Sequence, residues 1–114
     1  KKTELDKKNR LKAIDDANIF AAQVPLEILE KCISGMKQTL MISEIGNPNS
    51  ITDIGVAAEL LRAGSEGAAM NIQINIQNID IKRKIDFENK IDYYLKESKD
   101  LFISIKKNIK NILK

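Results

Sequence analysis

A single hard stop divides a chain whose pattern is otherwise helical almost from end to end. Gly46-Asn47-Pro48-Asn49 joins a glycine that permits a left-handed helix terminus to a proline that forbids continuation. Before it, Leu11, Ile14, Ala17 or Asn18, Ala21 and Val24, then Leu29, Ile33, Met36 and Leu40, recur at three- and four-residue steps. This predicts helix from Thr3 to about Ile45, with that series marking the apolar side. Pro25 is the interior breaker. It cannot donate to the carbonyl four residues back, so it either kinks one long helix or divides two. Ser34-Gly35 is a weak point without being a stop.

A second helix is predicted from Asn49 or Ser50 to about Asn78. Ser50-Ile51-Thr52-Asp53 fits a capping box, and Asp53 suits the positive end of the helix dipole. Asn71 to Ile76 alternates polar and apolar residues and, taken alone, reads as a strand. No turn separates it from the Ala-rich run before it, so helix is the expectation. The third helix is predicted over Asp80–Lys114. Phe87, Ile91, Tyr94, Ser98, Leu101 or Phe102, Ile105, Ile109 and Ile112 form its apolar stripe, with the first helix as the expected partner. The predicted fold is all-α, a bundle of long antiparallel helices. A lone monomer would leave apolar faces bare, so a homodimer or higher oligomer is expected.

Composition narrows the chemistry. Histidine is absent among the 114 residues, which removes the commonest general base and metal ligand. With one cysteine, Cys32, neither an internal disulfide nor a Cys–His nucleophile can form within this chain, and a reducing cytoplasm is the expected setting. No metal site is expected, and acid–base work falls to carboxylates or lysines. No apolar run approaches membrane-spanning length, so no membrane partner is expected. The formal charge of +3 comes from dispersed Lys with only three arginines. Solvated helix faces explain that balance better than nucleic-acid binding, which favours arginines clustered with aromatics.

Along the second helix, Asp53, Ala57, Leu60, Gly64, Gly67 or Ala68, Asn71, Asn75 and Asn78 share one stripe. Its middle is small enough for a backbone or a flat ring to come into van der Waals contact. Its ends carry a carboxylate and amides that both donate and accept. The residues alone admit two readings, a heteroaromatic ligand or a closely crossing helix, and helix packing is the better supported. Asp53 likewise reads first as a capping carboxylate, and Cys32 as a small core residue. Glu59, Arg62 and Glu66 are spaced for ion pairs on a solvated face.

These residues also carry a family resemblance. Gly46-Asn47, Asn49-Ser50, Thr52-Asp53, Val56-Ala57-Ala58, then Gly64, Gly67, Asn71 and Ile74-Asn75-Ile76 resemble, in unbroken register, the motif of the cyclodeaminase/cyclohydrolase family. That family includes formiminotetrahydrofolate cyclodeaminase and methenyltetrahydrofolate cyclohydrolase. Val24-Pro25-Leu26 resembles its VPL element, and Lys1 to Arg10 its basic helix start; the likeness extends to about residue 79. Members are about twice this length, with a Pro-Gly-Gly-Gly-Ser-like element and a further acidic catalytic residue in an N-terminal half. The resemblance therefore implies that residues 1–114 are the C-terminal part of such a domain. It implies a tetrahydrofolate derivative as substrate and no tightly bound cofactor. It also implies Asp53 as catalytic carboxylate, with Asn47, Asn49, Ser50, Gly64, Gly67, Asn71 and Asn75 binding substrate.

Overall fold

The computed structural model describes residues 3–113. Lys1 and Lys2 of the basic helix start, and Lys114, lie outside the described residues. Helix α1 (Glu4–Ile45) is followed by a 3-10 turn (Pro48–Ser50), α2 (Ile51–Asn75) and α3 (Ile81–Ile112). No strand occurs among the described residues, so the alternation at 71–76 is overridden by the helix it continues.

Helix α1 begins with a reciprocal capping box. Thr3 Oγ1 accepts from the Asp6 backbone N–H at 3.1 Å, and Asp6 accepts from the Thr3 N–H at 3.2 Å. The helix runs unbroken through Pro25, whose ring is buried in the core. It ends at Gly46, which takes the left-handed conformation at φ 74°. The capping box expected at Ser50–Asp53 does not form. Ser50 has a helix-like backbone (φ −110°, ψ 0°) and its side chain caps nothing. Capping has moved upstream to Asn47, whose Oδ1 accepts from the Asn49 N–H at 3.0 Å and sets the 3-10 turn leading into α2. Helix α2 stops at Asn75 rather than Asn78. Asp80 caps α3, accepting from the Arg83 N–H at 3.0 Å.

Two apolar clusters hold the helices together. At one end Ile19, Leu26 and Leu29 of α1 meet Ile72 of α2 and Ile76 just past its end, with Phe87 and Ile91 of α3. At the other, Ile51, Ile54 and Ala58 pack on Ile105, flanked by Leu40 and Phe102. The end of α1 thus meets the start of α2, and the end of α2 meets the start of α3. Consecutive helices are antiparallel, while α1 and α3 run parallel. Helix α3 packs on both other helices, not on α1 alone: Tyr94 Oη donates to Glu30 at 2.9 Å, and Lys106 donates to Glu59 of α2 at 2.8 Å. Arg62 of α2 lies over the Phe102 ring at 4.7 Å.

The side that α1 turns inward differs from the expectation in its first half. Ile19, Ala22 and Leu26 are buried, whereas Leu11, Ile14 and Val24 are exposed. Residues 4 to 18 project beyond the other helices with nothing fully buried. The molecule measures 72 × 19 × 15 Å, with a radius of gyration of 19.2 Å. A compact chain of this length would have a radius near ~13 Å.

Candidate functional site

The candidate site residues fall on the turn before α2 and along one side of α2, while Ala58 and Ile76 of the same motif are buried in the core. The core face of α2 is Ile51, Ile54, Ala58, Ser65, Ala68, Ala69 and Ile72, so of the two alternatives at the middle of the stripe Ala68 belongs to the core and Gly67 to the stripe. At 3.6 residues per turn, the stripe from Asp53 to Asn78 lies about a third of a turn from that face. The chain's own packing therefore does not enclose it. Asn47, Asn49, Asp53 and Asn71 are exposed; Ser50, Gly64, Gly67 and Asn75 are half-buried.

Two groups emerge along this surface. The first gathers Asn47, Asn49, Ser50 and Asp53 around the entry to α2, where the left-handed Gly46 and the 3-10 turn bring them to one end of the bundle. Asp53 sits in the first turn of α2 and forms no ion pair among the described residues. The second comprises Gly64, Gly67, Asn71 and Asn75, with Asn75 Nδ2 donating to the Asn71 carbonyl at 2.8 Å. At 1.5 Å per residue, Asp53 stands about 17 Å from Gly64 and about 33 Å from Asn75. One ring cannot touch both ends; an elongated ligand is needed to connect them.

The glycines have different surroundings. A Cβ built on Gly64 would lie 3.1 Å from Cys32 Sγ, and one on Gly35 would lie 3.2 Å from a Leu61 methyl. Helices α1 and α2 thus make their close approach through these positions, and packing within the chain accounts for Gly64. At Gly67 nothing lies within 4 Å of the added atom. Its smallness is unexplained by any neighbour among the described residues.

Sequence reasoning passed over one polar pair. Asn108 Nδ2 donates to Ser43 Oγ at 2.9 Å, and Ser43 in turn donates to the Leu40 carbonyl at 2.6 Å. Both line an open crevice of about 270 Å³ with Glu44, Gly46, Asn111 and Ile112, next to the Gly46-Asn47 turn. The signal was available: a serine and an asparagine stand at core spacing in otherwise apolar stripes. Among the described residues no cluster of three carboxylate, cysteine or histidine groups could hold a metal. No helix among them is long and apolar enough to cross a membrane.

Comparison with known proteins gives the family of the chain. The family model described as formiminotransferase-cyclodeaminase matches residues 1–92. The chain belongs to the formiminotransferase-cyclodeaminase family. The matched stretch contains all of the motif residues and the first third of α3. Within the family, methenyltetrahydrofolate cyclohydrolase of Methylorubrum extorquens is 34% identical over 80 residues, which is 70% of this chain. Those residues cover 38% of that relative, so the match spans about two fifths of its length. Family and relative together point to folate one-carbon metabolism.

Proposed function

We propose that this chain takes part in folate one-carbon chemistry, as a formiminotetrahydrofolate cyclodeaminase or a methenyltetrahydrofolate cyclohydrolase completed by a further surface over α2. One observation carries the reading: Asn47, Asn49, Asp53, Gly67 and Asn71 of the family motif lie along one side of α2 and its entry turn that the chain's own packing leaves open. A folate is elongated, as the two separated groups require. The group around Asp53 takes the one-carbon unit. Gly67 lets the flat part of the ligand approach the backbone, Gly64 seats that stretch of α2 against Cys32 of α1, and Asn71 and Asn75 orient the ligand. A Lys or Arg side chain meets the glutamate tail.

Asp53 is the proton-transfer group in either reaction. In the hydrolytic direction, water adds to the cationic methenyl carbon, its proton passes to the carboxylate, and the bridging C–N bond breaks to leave a formyl group. In the cyclising direction, the neighbouring nitrogen of the folate attacks the carbon of the protonated formimino group and gives up its own proton to the carboxylate, which passes it to the amino group as the C–N bond breaks and ammonia departs. The negative charge of Asp53 also favours the cationic carbon. Neither route calls for a metal, a histidine or a tightly bound cofactor. A reducing cytoplasmic setting suits the free Cys32.

The test is a thermal titration with 5-formyltetrahydrofolate alongside turnover of both folate substrates. Ligand at a hundredfold excess over Kd is expected to stabilise the protein by ~2.7 kcal/mol. Asp53→Asn, in the assembled protein, is expected to lose on the order of 10²–10⁴ in turnover while keeping its melting temperature within a few degrees. Unchanged turnover in that variant removes Asp53 from the mechanism. A second reading, an inert helical assembly module, draws on the contact of Gly64 with Cys32, which needs no ligand. A flat folate titration from a stable oligomer would select it. Nucleic-acid binding is a distant third, tested by salt-dependent retention on DNA.

A further inference from the structure

The last turns of α3 form a floor beneath the entry to α2. Ile51 and Ile54 are buried against Ile105, with Ile109 and Ile112 packed beside it. A Cβ built on Gly46 would lie 3.7 Å from Ile112 Cδ1, and one on Gly55 would lie 3.4 Å from Ile109 Cδ1. These two glycines bracket Asn47, Asn49, Ser50 and Asp53 in sequence, so α3 supports that polar group at both of its ends. Apolar contact of this kind has no preferred direction. Isoleucines alone would let the turn slide over α3 at little cost.

One polar contact beside the turn does have direction. Asn108 Nδ2 donates to Ser43 Oγ at 2.9 Å, and that hydroxyl donates in turn to the Leu40 carbonyl at 2.6 Å. The pair ties the last turn of α1, and Gly46 just after it, to one position on α3. Among the described residues it is the polar side-chain contact between α1 and α3 nearest the turn. The next ones, Lys37 to Glu97 and Ser98 to Met36, lie nearly two turns back along α1. Asn108 stands between Ile105 and Ile109, where the apolar pattern of α3 would accept another isoleucine. The core does not require its amide, because the buried Ser43 hydroxyl keeps the Leu40 carbonyl without it. A single neutral hydrogen bond adds little to a fold already held by two apolar clusters. What it adds is a unique register.

We propose that Asn108 is a positioning residue for the Asn47–Asp53 group, holding the entry turn in one register on α3 through Ser43 and so fixing where the Asp53 carboxylate stands. The proposal rests on the folate reading for what that carboxylate does. Proton transfer requires the carboxylate within hydrogen-bond reach of its partner, and a misplacement of about 1 Å costs about a hundredfold in rate. Asn108 lies beyond the residues 1–92 that the family model matches, so this chain's own α3 sets the geometry of a shared motif.

Hydrogen exchange of the full chain without folate tests the hold on the turn. Asn108→Ala and Asn108→Leu both remove the amide, and both introduce better helix formers, so the fold is retained. The amides of Asn49 to Gly55 are expected to exchange about tenfold faster or more, and those of residues 22 to 40 within about twofold of the parent. Ser43→Ala should give the same pattern, and adding it to Asn108→Ala should give nothing further, because the two act through one contact. Unchanged exchange at the turn, or acceleration throughout α1, overturns the proposal. In the assembled protein, Asn108→Ala is expected to lower kcat on the folate substrate about tenfold or more with KM nearly unchanged. A loosened turn with the parent's kcat also overturns it. A parent protein that turns over neither folate substrate would sink the folate reading, and the exchange pattern alone would then decide whether Asn108 holds the turn.

Discussion

Gly64 and Gly67 sit one turn apart on one stripe, yet the same substitution has different consequences at each. Glycine costs a helix interior ~1 kcal/mol relative to alanine. At Gly67 the added methyl meets nothing, so Gly67→Ala in the monomer is expected to gain most of that amount, a rise of ~4–8 °C in Tm for a domain this size. At Gly64 the methyl meets Cys32 Sγ at 3.1 Å, and crowding a packed seam costs ~1–3 kcal/mol. Gly64→Ala is therefore expected to melt below Gly67→Ala, and removing the sulfur with Cys32→Ala should narrow the gap. Thermal melts at submicromolar concentration compare the variants, and equal shifts at the two glycines would contradict the close contact. A second residue-scale outcome concerns Tyr94. Its hydroxyl donates to Glu30, and that hydrogen bond, with lesser contributions from burial and nearby negative charge, raises its pKa above the ordinary 10.0. The neutral phenol is the form that donates, so its contribution to stability is present below pH 10 and is lost as pH rises through the elevated folded value. Glu30→Gln should bring the tyrosinate absorbance change of Tyr94 to lower pH.

Elements were more legible than faces. The turn at Gly46–Asn49, the existence of three long helices and the apolar stripe of α3 all follow from periodicity and breakers. Leu29, Ile33 and Met36 were placed inward correctly, and Leu11, Ile14 and Val24 were not. The cause is that α1 carries two apolar stripes in its first half, one through Ile19, Ala22 and Leu26 and one through Ile14, Ala21 and Ile28. A three- or four-residue step fits both, and only the position of α2 and α3 decides between them. The same ambiguity made Ser50 look like a cap, because the tight turn set by Asn47 cannot be seen in an S-x-x-D pattern. The motif itself was legible as a family signature, while the separation of its two ends emerges only when it is laid along a helix. The two stripes of α1 predict different costs. Leu29→Ala, in the buried stripe, is expected to destabilise the fold by ~2–5 kcal/mol. Leu11→Ala, on the free projection, is expected to change it by less than ~0.5 kcal/mol. Backbone amides of residues 4 to 18 should exchange much faster than those of residues 22 to 40, and chemical denaturation with hydrogen exchange measures both.

At the scale of the whole molecule, the balance of surface and core sets the behaviour. The ion pairs are mostly exposed contacts within one helix, such as Lys12–Asp16 and Lys96–Asp100, each worth at most a few tenths of a kcal/mol. They cannot offset the entropy of ordering three long helices around a slab only 19 × 15 Å in section. Stability must come from apolar burial, and a large share of the apolar surface is still in water: Phe20, Met41, Ile45, Leu60 and Met70 are each more than 60% exposed. A protein built this way gains stability from whatever covers it, by mass action. A folate held on this face at a hundredfold excess over Kd adds ~2.7 kcal/mol, and calorimetry with and without 5-formyltetrahydrofolate measures the gain; an unchanged Tm would mean that this ligand does not cover the exposed face.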